Sequence, residues 1–95
     1  VKGVDCPAFD GLIEEADDVA DEVEDSKVLD AALIAAVQAI EHYEIARYGS
    51  LIAWAKELAR EDCAGVLEKN LAEEKAADRK LTAMAESGVN TAAAV

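Results

Sequence analysis

Pro7 is the single proline of the chain. Beyond it no proline interrupts a helix, and proline is the residue that removes a helix hydrogen bond and clashes with the preceding turn. Ala, Leu, Glu and Lys, all good helix formers, are abundant, while aromatic residues make up only 4% and leave little material for a β-sandwich. The expected fold class is all-α. A chain of 95 residues makes one domain and buries only roughly 60–65% of its unfolded surface, so a partner that covers more surface would stabilise it.

Three helices follow from apolar spacing. Pro7 suits a first helical turn with Asp5 just before it as a capping acid, and Leu12, Ile13, Ala16, Val19, Ala20 and Val23 recur at helical intervals, which predicts a helix over Pro7–Glu24. Asp25-Ser26-Lys27 breaks the pattern, and Ser26 is the expected N-cap of a second helix running from Val28 to about Arg60, a rod on the order of 50 Å. Gly49 lies inside it, where a close helix crossing would compensate for its cost. Glu61-Asp62-Cys63 reads as the turn, with Asp62 capping a third helix over Ala64–Ser87. Gly88 is a typical residue to follow a helix, so 89–95 is expected to be a frayed tail of a single domain spanning 1–95. No internal repeat occurs.

Charge narrows the function classes. The formal net charge is -12, which repels nucleic-acid backbones and anionic membranes and makes cations the natural small partners. Nine of the sixteen residues of Asp10–Asp25 are acidic, a run that reads first as a solvated helix face. The longest uncharged run, Ala31–Ile40, is far short of the roughly 18 residues a membrane span needs. No basic leader with an apolar core opens the chain, although its first residue is Val rather than Met. Two cysteines, Cys6 and Cys63, in an acidic helical chain read as reduced thiols, and the expected location is cytoplasmic.

Chemistry is concentrated where two apolar seams are interrupted. Steps of four and three along the second helix give Val37, Glu41, Glu44, Tyr48, Leu51, Ala55 and Leu58, and the same walk along the third gives Ala64, Leu67, Leu71, Glu74, Asp78, Leu81 and Ala85. A lone carboxylate on a buried seam must be protonated, paired with a base or bound to a cation. A hairpin turning near residue 62 sets Glu44 against about residue 80 and Glu41 near 83, within a turn or two of Asp78 and Glu74. Glu41, Glu44, Glu74 and Asp78 are therefore the candidate metal ligands. Tyr48 on the seam is placed to donate to a ligand carboxylate. His42 lies about 100° around the helix from Glu41 and is expected to pack at an interface or hydrogen-bond beside the site. Tyr43 and Trp54 read as packing residues. Lys75 and Arg79 stand next to the acids in sequence and offer neutralisation without a metal.

The segments CPAFDGLIEEADDV, VLDAALIAAVQAIEHYEIARYGSLIAWAKELA and VLEKNLAEEKAADRKLTAMAES together resemble the YciF-type family of ferritin-like bacterial stress proteins. The resemblance covers nearly the whole chain, and EHYEIA followed at a distance by AEEKAAD carries it most specifically. It implies a ferritin-like four-helix bundle with a carboxylate-lined di-metal centre, for which Glu44, Glu74 and Asp78 match by position and Glu41 is a further member. The Glu-x-x-His motif of di-iron bundles is absent. Members of the family it resembles carry two further helices before CPAFDGLIEE. This chain is then a helical hairpin with a shorter N-terminal helix, and pairing of two chains as a homodimer or higher assembly restores four long helices.

Two functions from different classes remain. One is a ferritin-like metal-binding protein of stress-response type holding Fe or Mn, two per dimer, with oxidase or peroxide-reactive chemistry, since oxygen-only ligation disfavours Zn and Cu. The other is a metal-free helical assembly module, or a stable fragment of a longer four-helix protein.

Overall fold

The computed structural model describes residues 5–95. Among them the regular structure is entirely helical, in the order α1 (Pro7–Glu22), α2 (Ser26–Glu57), α3 (Glu61–Met84), a kinked turn (Ala85–Val89) and a short α4 (Asn90–Ala93). The all-α class expected from composition is the class observed. Of the residues described, no helix is long and apolar enough to cross a membrane.

The ends of the helices differ from the sequence reading in ways that matter for the site. Pro7 occupies the first turn of α1, but Cys6 is the N-cap and no side chain caps it. Asp25, not Ser26, caps α2: its Oδ1 accepts from the backbone N–H groups of Lys27 at 2.9 Å and Val28 at 3.1 Å. A carboxylate there also meets the positive end of the helix dipole, which a hydroxyl cannot do as strongly.

α2 stops three residues earlier than expected. Ala59 takes a left-handed conformation (φ 57°), Ala59 N–H donates to Lys56 O at 3.0 Å and Arg60 N–H donates to Ala55 O at 2.8 Å. These two bonds are the Schellman arrangement that satisfies the last carbonyls of a helix. α3 then begins at Glu61, and Asp62 sits in its first turn, paired with Arg60 at 3.2 Å rather than serving as the cap.

Across the hairpin, Lys56 meets Glu68 and Gln38 meets Thr82, so the partners move apart evenly from the turn and the helices are antiparallel. α2 is the central helix, with α1 against one side and α3 against the other. The core is thin: Ile34, Ile52, Ala55, Ala64 and Ala85 are its buried members. Gly49 has open space where a side chain would project, so the expected close crossing there does not occur. After Gly88, whose dihedral angles (φ 172°, ψ -29°) are not helical, the chain does not fray as expected. It turns into α4, which packs back on α2 and half-buries Val89, Ala92 and Ala93.

The molecule measures 53 × 31 × 15 Å, with a radius of gyration of 16.5 Å. A compact domain of this length has a radius nearer 12–13 Å, and about 15 Å is little more than one helix diameter. The helices therefore form one layer. Val37, Leu51, Trp54, Leu58 and Val66 remain exposed on it, Trp54 at 60% and Leu58 at 74%.

Candidate metal centre

Glu41 and Glu44 are three residues apart on α2, which places them on the same side one turn apart. Glu74 reaches them from α3. One carboxylate oxygen from each of the three lies within 4.8 Å of the others, and all three residues are half-buried. The level at which Glu74 arrives is set by the turn. Farther from the turn the contacts His42–Asp78 and Gln38–Thr82 set α3 against positions of α2 about one helical turn earlier than the expected pairing of Glu44 with residue 80, and Glu74 falls beside both Glu41 and Glu44.

Three carboxylates in this space strain one another electrostatically. Partial burial pushes the Glu44 carboxyl above its ordinary value, helped by hydrogen bonding to Glu74 and by the Glu74 charge. Glu74 is also raised, first by hydrogen bonding to Glu41 and then by burial, with the contact to Glu44 working the other way. Glu41 Oε2 is buried and has no hydrogen-bond partner. A buried carboxylate oxygen without a donor costs free energy that a cation would recover.

Asp78, the fourth acid of the seams, lies one turn beyond Glu74 and outside this cluster. Its Oδ2 stands 3.1 Å from His42 Nε2, and its Oδ1 accepts from Gln38 Nε2 at 3.2 Å. Gln38 Nε2 also donates to Thr82 Oγ1 at 2.7 Å. His42 is thus hydrogen-bonded beside the site, as expected, while Tyr48 borders the groove next to Glu44. Among the described residues the close acid–base contacts of α2, α3 and the turn between them are His42–Asp78, Lys56–Glu68 and Arg60–Asp62. Neither Lys75 nor Arg79, both exposed, neutralises the cluster.

Two groupings escaped the sequence reading. Gln38 is the one polar residue inside the uncharged run Ala31–Ile40, and that isolation was the available signal. The other joins α1 to α2: Cys6 Sγ lies 3.0 Å from Tyr43 Oη, Arg47 Nε donates to the same oxygen at 3.1 Å, and Phe9 packs on Tyr43 with ring centroids 6.4 Å apart. Hydrogen bonding to Tyr43, and then to the backbone of Phe9, lowers the Cys6 thiol from its usual range. Only the fold brings residues 6 and 43 together. Both cysteines are free.

Comparison with known proteins places the chain among helical relatives. The family model described as Domain of unknown function (DUF892) matches residues 1–94. Protein YciF of Escherichia coli K12 is 50% identical over 90 residues, covering 95% of this chain and 54% of that protein. The crystal structure of that stress protein superposes with a TM-score of 0.89 over 95% of this chain and 57% of its own. YcfI of Rhodopseudomonas palustris, for which a structural role has been suggested, is 62% identical with a TM-score of 0.82, over 85% of this chain and 52% of its own. The chain spans about half the length of the relatives it matches.

Proposed function

The chain belongs to the family described as Domain of unknown function (DUF892), and on that premise we propose that it is a metal-binding protein whose Glu41, Glu44 and Glu74 hold a hard cation. The observation that carries this reading is Glu41 Oε2, a buried oxygen with no partner, in a cluster where two neighbouring carboxyls are already pushed toward protonation. Three carboxylates fit Fe or Mn and offer no nitrogen or sulfur for Zn or Cu. Asp78 flanks the cluster, with one oxygen held by His42 and the other by Gln38.

The protein's own groups divide the work. Glu41 and Glu44 form a rigid pair on one helix, Glu74 closes the set from the other, and the His42–Asp78–Gln38 contacts fix the two helices at this level. Bound Fe or Mn would supply one-electron chemistry toward oxygen or peroxide, in keeping with the ferritin-like, stress-response character of the family this chain resembles.

Elemental analysis of protein purified without added metal or chelator tests the reading. About one Fe or Mn per chain, lost in Glu44→Gln, is the expected result. No stoichiometric metal, together with no uptake of added Fe or Mn, removes it. A second reading, a metal-free assembly module, is favoured by one feature: each Asp78 oxygen has a protein partner, His42 or Gln38, without any ion. It requires that chelator leave the melting temperature unchanged.

A further inference from the structure

We propose that Gln38 is a positioning residue that selects which acid of α3 completes the carboxylate cluster, Glu74 rather than Asp78. It stands half-buried inside the uncharged run Ala31–Ile40, one turn beyond the buried Ile34. Its Nε2 faces three acceptors on α3: Thr82 Oγ1 at 2.7 Å, Asp78 Oδ1 at 3.2 Å and the Asp78 carbonyl oxygen at 3.5 Å. The first of these is shorter than the other side-chain contacts between the two helices, Lys56–Glu68 at 3.0 Å and His42–Asp78 at 3.1 Å.

Apolar packing constrains the register of α3 on α2 only weakly. A shift of α3 by one turn, about 5.4 Å, puts Leu71 in the place of Leu67, Asp78 in that of Glu74 and Ala85 in that of Leu81, like for like. Lys75 enters at Leu71, where its aliphatic stem can lie along the seam. The turn and the register move together. Ala59 holds a left-handed conformation (φ 57°) that an L-residue adopts at a cost, whereas Glu61-Asp62-Cys63 has the polar character of an ordinary turn. Extending α2 to that point gives the shifted register without a left-handed alanine, so local preference favours the register that is not observed.

A single polar residue on a seam is the device that fixes register where apolar contacts repeat. Gln38 meets Thr82 and Asp78 in the observed register. One turn away it would face Glu86, which lies beyond the end of α3 at Met84 and is exposed in the kinked turn. There Asp78, not Glu74, would stand beside Glu41 and Glu44, and His42 would exchange Asp78 for Thr82. The half-buried donors of Gln38 thus hold α3 at the level where Glu74 enters the cluster. The choice of register follows from these contacts, and only its consequence for a bound cation rests on the metal reading above.

His42 is the one histidine of the chain, so its ring protons report the register in nuclear Overhauser spectra of the whole chain. In the parent they contact Asp78. In Gln38→Met, which keeps a side chain of similar length and removes the amide, they are expected on the Thr82 methyl group, with helical circular dichroism retained. Thr82→Val should likewise move His42 from Asp78 to residue 82, while Thr82→Ser, which keeps the hydroxyl, should preserve the parent pattern. Mn titrations give the second readout. Asp78→Asn should leave Mn binding of the parent unchanged and, in the Gln38→Met background, weaken it by about tenfold or more. A merely destabilised helix pair does not transfer dependence to Asp78 in this way. His42 contacts that stay on Asp78 in both Gln38→Met and Thr82→Val overturn the proposal, as does loss of helical structure in both. A parent chain that takes up no Mn removes the metal reading alone, and the His42 contacts still decide the register.

Discussion

His42 Nε2 of α2 stands 3.1 Å from Asp78 Oδ2 of α3, and this contact lies one turn beyond Glu74 rather than within the carboxylate cluster. The pair is half in water, with side-chain exposures of 65% and 21%, so its ionic part is small and the Gln38 bond to the same carboxylate carries part of its worth. Asp78→Ala is expected to lower stability by about 1 kcal/mol while leaving about one metal per chain bound. Thermal melts and elemental analysis on one preparation check both halves, and loss of metal with unchanged stability would make Asp78 a ligand.

The turn that sets this register is held by an alanine in an unfavourable conformation. A left-handed backbone costs an L-residue roughly 1 kcal/mol that glycine does not bear. Ala59→Gly should therefore stabilise the protein by about 0.5–1 kcal/mol, which for a domain of this size raises the melting temperature by roughly 2–8 °C. A melting temperature lowered by the change would mean that Ala59 is held by something other than the Schellman bonds.

That turn also marks the boundary of what the sequence discloses. The helical class, the order of three helices and the two acid-interrupted seams were legible, because apolar periodicity and the lack of proline act locally. The reversal point was not. Glu61-Asp62-Cys63 has the polar look of a turn, while Ala59 lacks the glycine or asparagine that ordinarily marks a left-handed residue. A three-residue error there moves α3 against α2 by more than a turn, and it was enough to bring Asp78 toward Glu44 when the neighbour is Glu74. Gly88 misled in the same way, ending a helix on paper where the chain only kinks. Cys6 beside Tyr43 is a long-range contact, and no local pattern encodes it.

The Cys6 thiol gives a chemical readout of that contact. Its pKa is lowered chiefly by hydrogen bonding to Tyr43, and a thiol reacts through its thiolate. At neutral pH Cys6 should be alkylated faster than Cys63, which serves as an internal reference. Tyr43→Phe should slow Cys6 severalfold and leave Cys63 alone. Equal rates in the parent protein, measured by mass spectrometry of the two peptides, would contradict the assignment.

The carboxylate cluster makes a signed prediction about pH. Glu44 and Glu74 both titrate above their ordinary value of 4.5 in the folded chain. Groups raised in this way bind more protons folded than unfolded, so their contribution to stability is complete below the unfolded value and is lost as pH rises through the folded one. In chelator-treated protein Glu44→Gln should then melt higher than the parent at neutral pH, with the gap closing as pH falls below the usual carboxylate range. Comparing the two proteins at each pH cancels the many solvated acids of α1. Adding Mn should reverse the order, because the ion is held by the charged carboxylates that destabilise the free chain, and only the parent gains. Parallel melting curves across pH, with and without Mn, would show that the cluster neither strains the fold nor holds the ion.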